Sequence, residues 1–410
     1  MHEIKRSAVG TVKELLSKFP CVAVIGARQV GKTTFVKQVL PFSPVYDLEK
    51  RTDYERIKYD PDFFLSQQNE PIVIDESQIL PELFPALRVA IDNSREHNGR
   101  YLLTGSSSPE LISKITESLA GRIAIFELGG FSLEEKWGAE KSLFYEYIRD
   151  INFNGLEKLK QRYTNDQLFQ SCFLGSYPEP FLKYSNDRAG FSLWMENYFQ
   201  TYIKRDVRNL FPGLNINNYQ RFVSMLSSSS GQILNFSEFA RSLDVSQPTA
   251  KLYFDIAHGT FVWRMIQSYQ KSVKKRIVKM PKGHMRDTGL LNYLLSISSV
   301  DAFYASPLSG RIWETFIIEE IIKGFKNLGI LFELYYYRTS NKAEVDLVLE
   351  GDFGLIPVEI KFGAVTLHKN LHALESFIKD YGARIGLVIN NASETAWLSK
   401  TILQIPASYL

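Results

Sequence analysis

The sequence predicts an α/β protein built in successive parts, and three observations carry that expectation. Residues 21 to 39 read as a short apolar strand, a glycine-containing turn and a helix. After about residue 134 this βα alternation gives way to helical patterns rich in aromatics. Near the C-terminus, "AEVDLVLEGDFGLIPVEIKF" (343 to 362) reads as two strands whose apolar and charged residues alternate.

A chain of 410 residues is long enough for roughly two to four domains of about 100 to 200 residues. Apolar residues at 45 % and aromatics at 13 % can fill several cores, and no long tract has the polar composition of disorder. A net charge of +3 excludes nucleic-acid binding through bulk charge, so any such surface must come from local clusters. Cys21 and Cys172 are too few and too far apart for a disulfide framework or a zinc site, which fits a reducing, cytoplasmic setting. No stretch reaches the roughly 18 apolar residues of a membrane span, and the start lacks a signal peptide's apolar block, so a soluble protein with no membrane partner is expected.

The first part carries a nucleotide motif. In "FPCVAVIGARQVGKTTFVKQVL" a β-branched run leads into Gly26, Ala27, Arg28, Gln29, Val30, Gly31, Lys32, Thr33 and Thr34, followed by helical apolar spacing. The glycines let backbone N–H groups wrap phosphates, and the helix starting near Lys32 turns its positive end toward them. Lys32 is expected to reach the β and γ phosphates of ATP, and Thr33 to hold Mg²⁺. "PIVIDESQ" supplies the acidic strand end: Asp75 would support Mg²⁺ and Glu76 would polarise the attacking water. "RYLLTGSSS" adds a strand ending at Thr104, a candidate neighbour of the γ-phosphate. "PELISKITESLAGR" reads as a helix, and Arg122 directly precedes the strand "IAIFEL".

In the middle, the aromatics of "FSLWMENYFQTYIKRDVRNLF" recur at helical spacing and read as core; Lys204, Arg205, Asp206 and Arg208 are not assigned chemistry. The serines of "SSSSG" mark a loop at 227 to 231. Next come two short helical patterns, with Ser237 and Ser246 as caps and Asp244 and Val245 as the turn. With the strand that follows, this is a winged-helix pattern. Bound to DNA, it would present Gln247, Thr249 and Lys251 to the major groove; such modules also dock proteins. The basic cluster Lys271, Lys274, Lys275, Arg276, Lys279, Lys282 and Arg286 offers salt-dependent contact to a DNA backbone, or a solvated hairpin.

In "SGRIWETFIIEEIIKGFK" helical spacing leaves a narrow polar face at Thr315, Glu319 and Lys323 and points Glu314 inward. A carboxylate aimed at an apolar interior requires a partner or a metal. Strand alternation puts Val345, Leu347 and Leu349 on one face and Glu344, Asp346 and Val348 on the other, while Glu359 and Lys361 share a face. Asp346 and Glu359 are hard oxygen ligands suited to Mg²⁺, and Lys361 would position a nucleophile or stabilise developing charge. An acid followed by acid-x-lysine is the pattern of restriction-endonuclease-like enzymes, and Glu314 matches their additional N-terminal acid. His368, Lys369 and His372 follow on a helical pattern and read as solvated surface, with contact of Lys369 to substrate as the alternative.

The P-loop, "VIDESQ", "LLTGSSS", "SLAGR", "YPEPFL", "YIKRDV", "DTGLLNYLL" and "EVDLVLEGDFGLIPVEIKFG", in this order, resemble a large bacterial and archaeal family of AAA-type ATPases joined to a C-terminal domain of unknown function. The resemblance covers nearly the whole chain. It implies a P-loop domain with a five-stranded parallel sheet (1–133), a helical region (134–230), a winged helix-turn-helix (231–285) and a restriction-endonuclease-like domain (286–410). It also implies an ATPase with ATP and Mg²⁺ as cofactors. The motifs together lead to an ATPase whose nucleotide state controls a DNA-binding half with a metal-dependent nuclease site; the alternative is a nucleotide-dependent switch that binds DNA or a protein partner and uses an inactive nuclease-like domain as a scaffold. In ring-forming AAA-type ATPases an arginine near Arg122 reaches a neighbouring subunit's nucleotide, which would make a homo-oligomer. The local alternative, Arg122 pairing with the carbonyl end of the preceding helix, stands beside it.

Overall fold

The computed structural model describes residues 4–106, 117–270, 279–339, 343–366 and 371–410. Contacts gather into two compact units: Met1–Phe131 with Gly259–Phe261 and Asn327–Gly329, and Ser132–His258 with Val262–Lys326 and Ile330–Leu410. Among the described residues no helix is long and apolar enough to cross a membrane.

The first unit is a parallel α/β layer. Its strands are β1 (Cys21–Gly26), β2 (Val45–Asp47), β3 (Ile72–Asp75), β4 (Tyr101–Ser106) and β5 (Ile123–Glu127). They lie in the order β2-β3-β4-β1-β5, all parallel, as the family resemblance implies. Every residue of β1 and of β3 is buried, which is why both read as unbroken apolar runs rather than alternating ones. Register sets Val24 beside Thr104 and Ile74 beside Leu103, so the carboxyl ends of β1, β3 and β4 finish together. Ser107 and Ser108, and most of the helical segment expected over 109–122, lie outside the described residues.

The second unit opens with helices whose starts are fixed by side chains. Ser132 with Glu135 and Thr164 with Gln167 form capping boxes, each satisfying two otherwise unpaired N–H groups. In the helix Arg188–Thr201, Phe191, Met195, Tyr198 and Phe199 are buried, so its aromatics serve packing. The serine run ends a helix rather than forming a loop, because the helix Ile216–Ser228 extends through Ser227 and Ser228. The next helix, Phe236–Leu243, is capped by Asn235 instead of Ser237. Asp244 adopts φ 54°, a left-handed turn, and Ser246 accepts from Thr249 N–H at 3.2 Å at the start of the helix Gln247–Gly259.

Among the described residues nine strands form the sheet of this unit. They are β6 (Gln232–Ile233), β7 (Trp263–Ser268), β8 (Lys282–Met285), β9 (Phe332–Arg338), β10 (Glu344–Gly351), β11 (Gly354–Ile360), β12 (Gly386–Asn390), β13 (Ala396–Trp397) and β14 (Ile402–Pro406). Their order is β13-β14-β12-β11-β10-β9-β7-β8-β6. Parallel pairing of β7 with β9, Gln267 beside Tyr335 and Ser268 beside Tyr336, joins the hairpin strands to the C-terminal ones. The sheet therefore runs through the 285/286 position at which the sequence reading divides two domains.

Two expectations about this unit need correcting. The alternation assumed for 343–349 is interrupted by a register shift between Val345 and Val348, so both valines pack into the same cluster as Leu374 and Phe377. A bulge inserts one residue and turns the following side chains over, which period-two reasoning cannot anticipate. Thr315, Glu319 and Lys323 do not form a solvated face: they are 0 %, 8 % and 9 % exposed. Each is buried against a polar partner, Thr315 against Ser230, Glu319 against Arg264 and Lys323 against Glu320.

The helix Ser309–Asn327 is fixed by Trp313, which is fully buried with ring centroids 5.4 Å from Phe169 and 5.8 Å from Phe362. Phe362 follows Lys361, so this aromatic packing also holds the end of β11. Replacing Trp313 by Ala is expected to cost about 3–5 kcal/mol through lost burial and a residual cavity. The expected outcome is a clearly lower thermal unfolding midpoint, with Trp313→Phe in between; an unchanged midpoint for Trp313→Ala would contradict this packing.

Candidate functional site

In the first unit the site is built where open parallel sheets bind ligands, at the carboxyl ends of the strands. β1 ends at Gly26, and Ala27, Arg28, Gln29, Val30 and Gly31 turn the chain into the helix Lys32–Val39. That turn requires φ of 66° at Gln29 and 88° at Gly31, the geometry in which successive amides face an anion. Gly26 is needed for space: a Cβ there would lie 2.4 Å from the Leu128 carbonyl oxygen. Lys32 is buried and folds back across the turn, donating to the Gly26 and Ala27 carbonyls at 3.1 Å each. Thr33 and Thr34 are exposed on the first turn of the helix.

Asp75 is buried at the end of β3 and is shared by two hydroxyls. Thr33 Oγ1 donates to its Oδ2 at 2.6 Å and Thr104 Oγ1 to its Oδ1. A threonine hydroxyl in contact with an aspartate is a donor set that fits Mg²⁺, and it lies next to the phosphate-wrapping turn. Thr104 also accepts from the Glu76 N–H at 3.1 Å. Glu76 adopts φ 56° and ψ 43°, a conformation a non-glycine residue takes at a cost of about 1–3 kcal/mol, mostly at functional positions. Its carboxylate accepts from Gln78 Nε2 at 2.5 Å.

Arg122 lies before β5, where its Nε and Nη2 reach the two Asp92 oxygens at 2.8 and 2.9 Å and its Nη1 donates to Ala120 O at 3.0 Å. The Ala120 contact is the local pairing weighed in the sequence; the bidentate Asp92 contact had no sequence signal, because Asp92 is thirty positions away. Arg6 was also missed. Its Nη1 donates to Val30 O at 3.0 Å and its Nη2 to Gly129 O at 2.7 Å, tying the phosphate turn to the segment after β5.

A second cluster forms in the other unit. Antiparallel pairing of β10 and β11 sets Leu347 opposite Val358, which brings Asp346 to Glu359 one step along. Asp346 Oδ2 accepts from the Ile360 N–H at 2.8 Å, and Lys361 Nζ lies 2.5 Å from Glu359 Oε1 and 3.9 Å from Asp346 Oδ2. Glu359 is 6 % exposed, and its Oε2 is buried without a hydrogen-bond partner. Glu314 does point inward, and its Oε1 lies 2.7 Å from Lys282 Nζ. Lys282 also lies 2.7 Å from Glu344 Oε1 and 3.6 Å from Asp346 Oδ1.

Lys282 therefore cannot serve as an exposed contact for a DNA backbone, since it is buried and its charge is spent on these three carboxylates. Arg286 is likewise turned inward, 4.0 Å from Glu319. Lys279 donates to the Arg338 carbonyl at 3.3 Å. Lys271, Lys274, Lys275 and Arg276, together with His368 and Lys369, lie outside the described residues. Alternation along "PKGHM" was the available signal for Lys282 and His284, and the i, i+2 spacing of Glu344 and Asp346 the signal for Glu344.

Burial and mutual repulsion govern the charges. Burial, reinforced by Asp346 and opposed by Lys361, pushes Glu359 up to about 8. Burial, opposed by Lys282 and reinforced by Asp346 and Glu344, pushes Glu314 up to about 7. Burial works against the Lys361 ammonium, but Asp346 and Glu359 outweigh it and raise its pKa. Among the described residues no three His, Cys, Asp or Glu side chains are gathered to hold a metal. Asp346 with the unpaired Glu359 Oε2 still fits Mg²⁺, which usually takes one or two carboxylates and completes its shell with water and phosphate oxygens.

Comparison with known proteins places these sites in a family. Residues 18–136 match the family described as "AAA domain", while 165–301 and 309–410 match two domains of unknown function, DUF8612 and DUF4143. The chain is 33 % identical over 348 residues to the uncharacterized proteins Rv2008c of Mycobacterium tuberculosis and Mb2031c of Mycobacterium bovis, covering 84 % of this chain and 71 % of each relative. A Walker-type ATPase of Pyrococcus abyssi is similar at 15 % identity with a TM-score of 0.44, over 70 % of this chain and 94 % of that one. The chain belongs to the same family as the two mycobacterial proteins, and its residues 18–136 make it a P-loop ATPase of the AAA type.

Proposed function

We propose that this protein is an ATP-hydrolysing, DNA-binding protein in which nucleotide state governs a Mg²⁺-dependent DNA-cleaving site made by Asp346, Glu359 and Lys361. Lys32 and the turn amides would hold the phosphates, Thr33 and Asp75 would hold Mg²⁺, and Glu76 would polarise the water that attacks the γ-phosphorus. Thr104 fixes Asp75 and the Glu76 backbone together.

The observation that carries the nuclease reading is the unpaired Glu359 Oε2 beside Asp346, with Lys361 within reach of both. A divalent cation held there would offset charge on a phosphodiester. Lys361 would orient the attacking water or neutralise the oxygen that gains charge. DNA binding is supported by the order helix, β6, helix, helix, β7, β8, which is that of the winged-helix motif, and by Gln247 and Lys251 exposed on the second helix of the turn.

Lys282 favours a second reading. A buried ammonium already offsets Glu314 and Asp346, so the cluster can be stable with no metal and the unit can serve as a DNA- or protein-binding scaffold. Incubating linear and branched DNA with the full chain and Mg²⁺ or Mn²⁺ separates the two. Cleavage that disappears in Asp346→Ala and Lys361→Ala is the expected result; cleavage unaltered in both would remove the proposed site, and none on any substrate would favour the scaffold.

Lys32→Ala is expected to lower ATP turnover by at least about 100-fold, as loss of a charge that stabilises the transferring phosphoryl group does. Glu76→Gln should lower kcat while leaving nucleotide affinity near its original value, read by calorimetry. Turnover surviving in Lys32→Ala would contradict the phosphate site.

Because Glu359 has to lose a proton before it can act as a ligand, Mn²⁺ binding measured without nucleotide should tighten as pH rises toward about 8 and level off above it. A flat profile, or one that weakens with pH, would argue against Glu359 as a ligand.

A further inference from the structure

With all its carboxylates ionised, the acidic cluster carries more charge than one divalent cation and Lys361 offset. Four carboxylates converge: Glu314 from the helix Ser309–Asn327, Glu344 and Asp346 from β10, and Glu359 from β11. The surplus is met by Lys282, which is contributed by β8 and is 1 % exposed. Its Nζ lies 2.7 Å from Glu314 and Glu344 and 3.6 Å from Asp346 Oδ1. An isolated buried ammonium is strongly unfavourable, and this one is stable only because three carboxylates surround it.

His284, two residues along β8, is fully buried. Its Nδ1 lies 3.3 Å from Thr315 Oγ1, and its Nε2, which has no hydrogen-bond partner, lies 3.8 Å from Glu314 Oε1. Carboxylate and imidazole are ligand types that divalent metals take, although these side chains are not themselves gathered closely enough to hold one. In this chain a lysine nitrogen lies among those oxygens.

We propose that Lys282 is a resident cation that takes the place of a second divalent ion, so that the cluster accepts one metal rather than the pair many nucleases use. The proposal rests on the reading of Asp346 and Glu359 as ligands. Lys282 is covered and does not touch substrate; it is a positioning residue that acts through Asp346. Lys282 faces Asp346 Oδ1 while the Ile360 N–H holds Oδ2, which fixes the carboxylate toward Glu359. With Lys282 in place, a single cation would be held between Asp346 and Glu359, and Glu314 and Glu344 would stay out of its shell.

The test is a count of Mn²⁺ bound by the full-length chain, by calorimetry without nucleotide, so that the phosphate site does not contribute. One equivalent is expected for the native chain and for Lys282→Arg, and none for Asp346→Ala. Lys282→Met should bind one equivalent more than the native chain, and adding Glu314→Gln to it should remove that extra equivalent. No gain in a folded Lys282→Met protein overturns the proposal. Zero equivalents in the native chain defeats the Asp346–Glu359 reading instead, and the difference between Lys282→Met and the native chain still decides the role of Lys282. If Lys282→Met is unfolded in metal-free buffer, Mn²⁺ present during refolding should restore its circular dichroism spectrum; failure to do so also overturns the proposal.

Discussion

A carboxylate taken out of water needs a donor or a cation in contact with it, and both sites of this protein are organised by that requirement. Asp75 is buried at a strand end and meets it with two threonine hydroxyls, one from the start of the helix Lys32–Val39 and one from β4. Those two contacts lock three consecutive parts of the site together: the helix start, the acidic strand end and the neighbouring strand. In the second unit four carboxylates converge, Asp346 and Glu359 buried and Glu314 and Glu344 partly so, and Lys282 and Lys361 satisfy most of them. What is left over, Glu359 Oε2, is where a function rather than a structural contact is expected.

The nine-stranded sheet makes the second arrangement possible. Lys282 sits on β8 and Asp346 on β10, more than sixty residues apart in the chain, and the β7–β9 pairing holds their strands in one sheet. The bulge in β10 matters for the same reason. By turning both Val345 and Val348 into the apolar cluster around Phe377, it breaks the alternation next to Asp346. Bulges recur beside active sites because they re-aim a side chain at little cost to the sheet.

Much of this was legible in the chain. Strand, glycine turn and helix at 21 to 39 specify a phosphate site because few other sequences pair an apolar buried strand with that spacing of glycine, lysine and threonine. The parallel sheet is what the family resemblance implies, and the inward direction of Glu314 follows from helical periodicity. Periodicity failed where a second requirement overrode it. Thr315, Glu319 and Lys323 look like a solvent face because they are polar, yet each is buried against a polar partner, Thr315 and Glu319 against residues far away in the chain and Lys323 against Glu320 on its own helix. Val348 looks like the wrong face because one extra residue entered the strand.

The sequence by itself determined most of the elements and the placing of the candidate residues on them, since these follow from local spacing: the glycine turn, Asp75 and Glu76 at a strand end, and the acid and acid-x-lysine strands. Tertiary structure alone decided which charges meet. Lys282, grouped by sequence with exposed basic residues, is enclosed by Glu314, Glu344 and Asp346; Arg122 is clasped by Asp92, and Arg6 holds the phosphate turn. Charge pairing depends on distance in space and on exclusion of water, and neither is encoded by neighbours along the chain.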